Sequence, residues 1–153
     1  MPQHRAAKRR RPPFFHPAVL RARRDGWTAA RQAAFLGHLY LTGCAAAAAR
    51  AVGMSRMAAY RLRRDPRASG FAWAWDVVLT PSHLPAPEHP PYSGWKVTDR
   101  QLASRVDSGF VAPLIFRGKV CAIRRKADNS ALLQLLSRID RYASRRPEEG
   151  HPA

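Results

Sequence analysis

The sequence predicts a mainly α fold: an N-terminal helical bundle of three to four helices, followed by a small C-terminal β-hairpin and a last helix. Three observations carry this expectation. From Trp27 to Leu79 the apolar residues recur at helical spacing, the signature of amphipathic helices rather than strands. Near the middle of that region two helix-like segments meet at Gly53, with a capping serine two residues on. Residues 80–92 then carry five prolines, which no regular element survives, and two β-rich runs follow. A chain of 153 residues, 46% of them hydrophobic, is long enough for one main domain, or a small domain with an appendage.

Residues 1–24 hold eight Lys or Arg, no acid, and prolines at 2, 12, 13 and 17. So little apolar surface does not offset the entropy of ordering, and a disordered basic arm is expected. It either tracks phosphates and enters the minor groove of DNA, or is a solvated tail.

The unit expected over residues 25–79 begins with a helix capped by Thr28 and running from residue 29 to about 41, with Phe35, Leu36, Leu39 and Tyr40 as its inward stripe. Trp27 is placed across its N-terminus, and Gly43 ends it. In the run GCAAAAARAVGMSRMAAYRLRR, a small-residue helix over residues 44–52, a turn at Gly53 and a second helix opened by Ser55 and ending near Arg64 make a helix-turn-helix. Glycine suits that turn because a residue without Cβ adopts positive φ cheaply. Ser55 caps by accepting bonds from orphan backbone N–H groups. Ala49 is small where two steeply crossed helices meet, and Val52, Met54, Ala59 and Leu62 fall where apolar contacts are needed.

At about 100° per residue, Ser55, Ala58, Ala59 and Leu62 share the inward side of the second helix. Met57, Tyr60 and Arg64 lie opposite, with Arg61 beside them and Arg56 and Arg63 on the flank. Arginine bonds guanine edges or phosphate, and Tyr60 and Met57 can touch thymine methyls or sugar, so this face suits the major groove. The candidate DNA-binding residues are therefore Ser55, Arg56, Met57, Tyr60, Arg61, Arg63 and Arg64, with Gly53 as the structural turn.

Asp65-Pro66 stops the helix, and a further helix to Leu79 carries the stripe Phe71, Trp75, Val78 and Leu79. Trp73 lies off that stripe, covering another bundle edge or facing a partner. Residues 80–95 read as a Pro-rich linker. In the C-terminal unit, residues 96–146, Thr98 and Gln101 form a capping box, FVAPLIF and KVCAIRR flank Arg117-Gly118 as a hairpin, and Pro113 confines its strand to an edge or a bulge. Asp128, Asn129 and Ser130 offer caps for the last helix, whose stripe is Leu132, Leu135, Leu136 and Ile139, widened by Leu133. Residues 147–153 are a tail. So small a unit must pack back on the bundle as a lid or self-associate through its leucines, which makes a homo-oligomer, a dimer or a ring, an expected state.

The segment GMSRMAAYRLRR resembles the turn and recognition helix of bacterial helix-turn-helix proteins with the signature G-[VM]-S-x-x-x-[AV]-Y-R-x-x-R. The longer run from DGWTAARQ to RLRRDP, followed by GFAWAWDVVL, is similar to compact helix-turn-helix proteins of alphaproteobacteria and to the N-terminal domains of phage terminase small subunits. Ala59 departs from relatives that more often carry a β-branched residue there. The resemblance implies DNA binding; it does not choose between regulation, packaging and transposition.

A net charge of +17 and a pI near 11.6 point to polyanionic partners, above all nucleic acid. No run of about 18 apolar residues is present, so a soluble, cytoplasmic, nucleoid-associated protein without a membrane partner is expected. Cys44 and Cys121 lie far apart, and His4, His16, His38, His83, His89 and His151 include no i, i+4 pair, so no metal is expected. The ten acids are dispersed and no phosphate-cradling glycine motif occurs, so neither catalysis, a cofactor nor a small-molecule ligand is expected. Three functions compete: a sequence-specific transcriptional regulator, a packaging adaptor like a terminase small subunit, and a non-specific nucleic-acid binder.

Overall fold

The computed structural model describes residues 8–21, 23–89 and 97–145. Among them are six helices and one two-stranded antiparallel sheet: α1 (Ala29–Thr42), α2 (Ala45–Ala51), α3 (Arg56–Arg64), a short 3-10 turn (Pro66–Ala68), α4 (Ser69–Leu79), α5 (Asp99–Ser108), β1 (Phe110–Phe116), β2 (Lys119–Lys126) and α6 (Asn129–Arg145). The fold is mainly α with a small hairpin, in the order the sequence implies.

The bundle closes around aromatic rings. Phe35 of α1 lies 5.6 Å from Phe71 and 4.9 Å from Trp75, both of α4. Trp27 stands edge-on to Phe35 at 5.7 Å, across the start of α1. Leu36 and Leu39 of α1, Ala48 and Ala49 of α2, and Ala59 and Leu62 of α3 are buried with them. Thr28 Oγ1 accepts the Arg31 amide and opens α1, and Gly43, at φ 68°, returns its N–H to Leu39.

The hairpin turns at Arg117 and Gly118, both at positive φ, as a two-residue hairpin turn requires. It lies against α1 at Gly37, where a Cβ would stand 2.8 Å from Val120 and 3.0 Å from Pro113. The absent side chain is what lets strand and helix approach. Pro113 pairs with Ile123, and a bulge follows between Leu114 and Ile115. Val111 turns its N–H and carbonyl outward to Phe15; Pro113, two residues on, faces that same outer side, where its missing N–H breaks no ladder bond.

The disordered arm expected over residues 1–24 needs correction. Residues 1–7 lie outside the described residues, but Phe15 is fully buried, edge-on to Phe71 at 6.2 Å. Its amide and carbonyl exchange bonds with Val111 at 3.1 and 3.0 Å. Ala18 is held by the buried Gln32 amide, whose oxygen accepts the Ala18 N–H at 2.8 Å and whose nitrogen donates to the Ala18 carbonyl at 2.9 Å. Arg9 donates to the Tyr40 and Leu41 carbonyls at 2.7 and 3.2 Å, satisfying acceptors that a helix end leaves orphaned. The composition of the segment hid two things: a buriable aromatic and a strand edge able to receive its backbone.

The proline-rich stretch runs back along this segment. Ser82 donates to the Lys8 carbonyl at 3.0 Å, Pro81 bridges Arg9, and the Trp73 indole donates to the Pro87 carbonyl at 3.0 Å. Trp73 thus covers a bundle edge. Residues 90–95 of the expected linker, and residue 96 after it, lie outside the described residues.

A buried carboxylate ties the C-terminal elements to the rest. Asp128 Oδ1 accepts the Ala131 amide and caps α6, while Oδ2 lies 3.1 Å from Arg105 Nη2 on α5 and 2.9 Å from His16 Nε2. His16 Nδ1 is 3.1 Å from the Gly109 carbonyl. Burial first, then the Arg105 guanidinium, push the His16 imidazole below its ordinary 6.5, against the pull of Asp128 and Gly109. Asp128 already shares its charge with Arg105, so the lowered direction prevails. Burial lowers His38 as well.

Two outcomes follow from this packing. Phe15→Ala is expected to destabilise the chain by about 3–5 kcal/mol in urea denaturation; a loss under about 1 kcal/mol means that the segment is not part of the core. Because His16 and His38 take up protons more readily when unfolded, stability rises with pH through the region below 6.5 and is lost on acidification. The melting midpoint is therefore higher near pH ~7.5 than near ~5.5, and His16→Gln flattens the slope; a reversed slope contradicts the assignment.

Candidate nucleic-acid interface

The α2–α3 corner is built from backbone bonds that converge on the end of α2. Met54 donates to Ala49 at 2.9 Å and Gly53 to Arg50 at 3.1 Å. Gly53 has φ 74°, and a Cβ there would meet nothing within 4 Å. The demand for glycine is thus conformational, not spatial. Ser55 sits in extended geometry at the N-cap, and its Oγ accepts the Ala58 amide at 3.0 Å. Ala49 is fully buried, so α2 crosses close to its neighbours.

On α3, Ala59 and Leu62 turn inward, while Ser55, Arg56, Met57, Arg61 and Arg64 are exposed; Met57 keeps 74% of its surface. Two of the seven candidates stand elsewhere. Tyr60 is half-buried, its ring 5.2 Å from Trp75. Arg63 is half-buried too, its Nη2 2.6 Å from Asp76 Oδ1 and its guanidinium 5.0 Å over the Trp75 ring. Helical rotation alone placed them outward or on the flank; α4 closes over that flank and takes them into the scaffold. The Arg56 guanidinium, 5.6 Å above the Tyr60 ring, bridges the scaffold to the open face.

The electrostatics favour an anion on this face. Its acidic neighbours are engaged by other cations: Asp76 by Arg63, and Asp65 by Arg67 at 2.8 Å. The Arg67 guanidinium and amide hold the Asp65 carboxyl below the usual carboxylate range. Among the described residues no ion pair includes Arg56, Arg61 or Arg64. Arg50, exposed in the last turn of α2, adds a cation beside the turn; its place in a basic motif was the available signal, but the outward face of α2 was not read. Cys44 and Cys121 are exposed free thiols.

Among the described residues no three His, Cys, Asp or Glu side chains are grouped to hold a metal ion, and no helix is long and apolar enough to cross a membrane.

Arg63 and Arg64 differ by one position and by surroundings. Arg63→Ala is expected to cost about 1 kcal/mol of stability by losing the Asp76 pair and the stack on Trp75, whereas Arg64→Ala stays within about 0.5 kcal/mol. Equal losses in urea denaturation contradict this division of roles. Comparison of the chain with protein-family models, with curated proteins and with solved structures finds no match.

Proposed function

We propose that the chain binds double-stranded DNA sequence-specifically through α3, in the manner of a transcriptional regulator. The carrying observation is the uncompensated face of α3: Arg56, Met57, Arg61 and Arg64 stand exposed, while the nearby carboxylates Asp65 and Asp76 are each engaged by another arginine. A helix presented on a tight corner, with guanidinium groups and an apolar thioether outward, has the shape and donors for reading base edges in the major groove. Ser55 at its N-terminus and Arg50 beside the turn are placed for phosphate. Tyr60 and Arg63 position the helix on α4 instead of reading DNA. The net charge of +17 supplies the long-range attraction.

Selection of bound sequences from random duplex DNA at physiological salt tests this. An enriched motif is expected. Arg61→Ala or Arg64→Ala then relaxes one position of it by about 1–3 kcal/mol, where a phosphate contact alone only lowers the salt slope by about 0.9. No enrichment, with binding that depends on salt alone, replaces the reading by charge-driven, non-specific association.

A further inference from the structure

The hairpin folds back on α1, but α6 does not: Ala131 is its one fully buried residue, and it rests on α5. Leu132, Leu136 and Ile139 keep 39%, 49% and 52% of their surface, with Leu133 and Tyr142 beside them at 66% and 59%. Ala143 continues the line and is exposed. From the structure we propose that this stripe is the interface with a second copy of the chain, packed antiparallel about a two-fold axis between Leu136 and Ile139.

Three observations select a second copy. The stripe Leu132, Leu136, Ile139, Ala143 has spacing four, three, four, which reads the same from either end. An antiparallel copy therefore meets it in register, with Leu136 against Ile139 twice and Leu132 against Ala143. This alternation of three and four is the pattern that lets helices interdigitate at a shallow crossing angle. No arginine among the described residues lies in the seam: Arg138 turns back to Asp99 at 2.9 Å and to the Val97 carbonyl, Arg141 and Arg145 lie on the far side of the helix, and the exposed Asp140 stands at the stripe's edge. Two cationic chains can thus meet without opposing their arginines. Finally, α6 has 17 residues, about 25 Å of helix. A pair of such faces buries on the order of 1,000 Å2, the lower bound of a specific interface, so a reversible dimer in the micromolar range is expected. The inference stands apart from DNA reading, and its test contains no DNA.

Sedimentation equilibrium of the full chain at about 10–100 μM, spanning the concentrations where such an interface fills, decides it. The wild type is expected to approach twice its 17.1 kDa, and Leu136→Glu with Ile139→Glu to remain at monomer mass with unchanged helical circular dichroism. Because both residues are exposed in the single chain, the variant keeps its fold. A wild type that stays monomeric, or a variant that dimerises equally, overturns the proposal. So does a monomeric wild type that floats with phosphatidylserine vesicles while the variant does not, which assigns the stripe to a lipid surface. With Cys44→Ser and Cys121→Ser in place, a mixture of Leu136→Cys and Ile139→Cys chains is expected to cross-link faster than Leu132→Cys chains do with themselves; the opposite order overturns the antiparallel register.

Discussion

The Trp75 indole lies 4.9 Å from Phe35 and 5.9 Å from Phe71 on its core side, and 5.2 Å from Tyr60 and 5.0 Å from the Arg63 guanidinium on the side of α3. One ring therefore belongs both to the hydrophobic core and to the seat of the exposed helix. Few apolar contacts anchor α3 otherwise: Ala59 and Leu62 are its fully inward residues. A nine-residue helix with three arginines in its last turn has little stability of its own. Its angle to the bundle is set by how Tyr60 and Arg63 grip the tryptophan, and by the Asp76 carboxylate that holds Arg63 in place.

The same economy governs the corner. Gly53 supplies a dihedral, Ser55 a cap and Ala49 a close approach, and each acts through the backbone or by the smallness of its side chain. Such features are legible in a sequence because they depend on neighbours a few residues away. Hence the boundaries of α1, α2, α3 and α4, the capping box of α5 and the hairpin turn all follow from local pattern. The exposed face of α3 was legible as far as one helix carries its own geometry. The half-burial of Tyr60 and Arg63 was not legible, because their environment is set by α4, a neighbour that periodicity within α3 does not describe.

What stayed hidden is non-local. Phe15 sits in a cationic, proline-studded segment whose average composition argues against order, yet a single aromatic side chain and a short exchange with Val111 suffice to bring it into the core. Gln32 carries no signal of burial in the sequence; folded, its amide imitates a backbone partner for Ala18 and its burial is satisfied. Asp128 reads as an ordinary helix cap, and it is one, but its second oxygen joins three separated stretches of chain. Each depends on contacts between residues far apart in sequence, which composition and period do not report.

The pairing of Phe15 with the first strand has a bearing on synthesis. The segment around Phe15 leaves the ribosome well before its partners, Val111 and the Asp128 carboxylate that anchors His16. Until then Phe71 lacks the ring that stands edge-on to it, and closure of the core waits on the hairpin. The nascent bundle, with its aromatic face open and the basic segment around Phe15 unseated, is the species most exposed to wrong contacts.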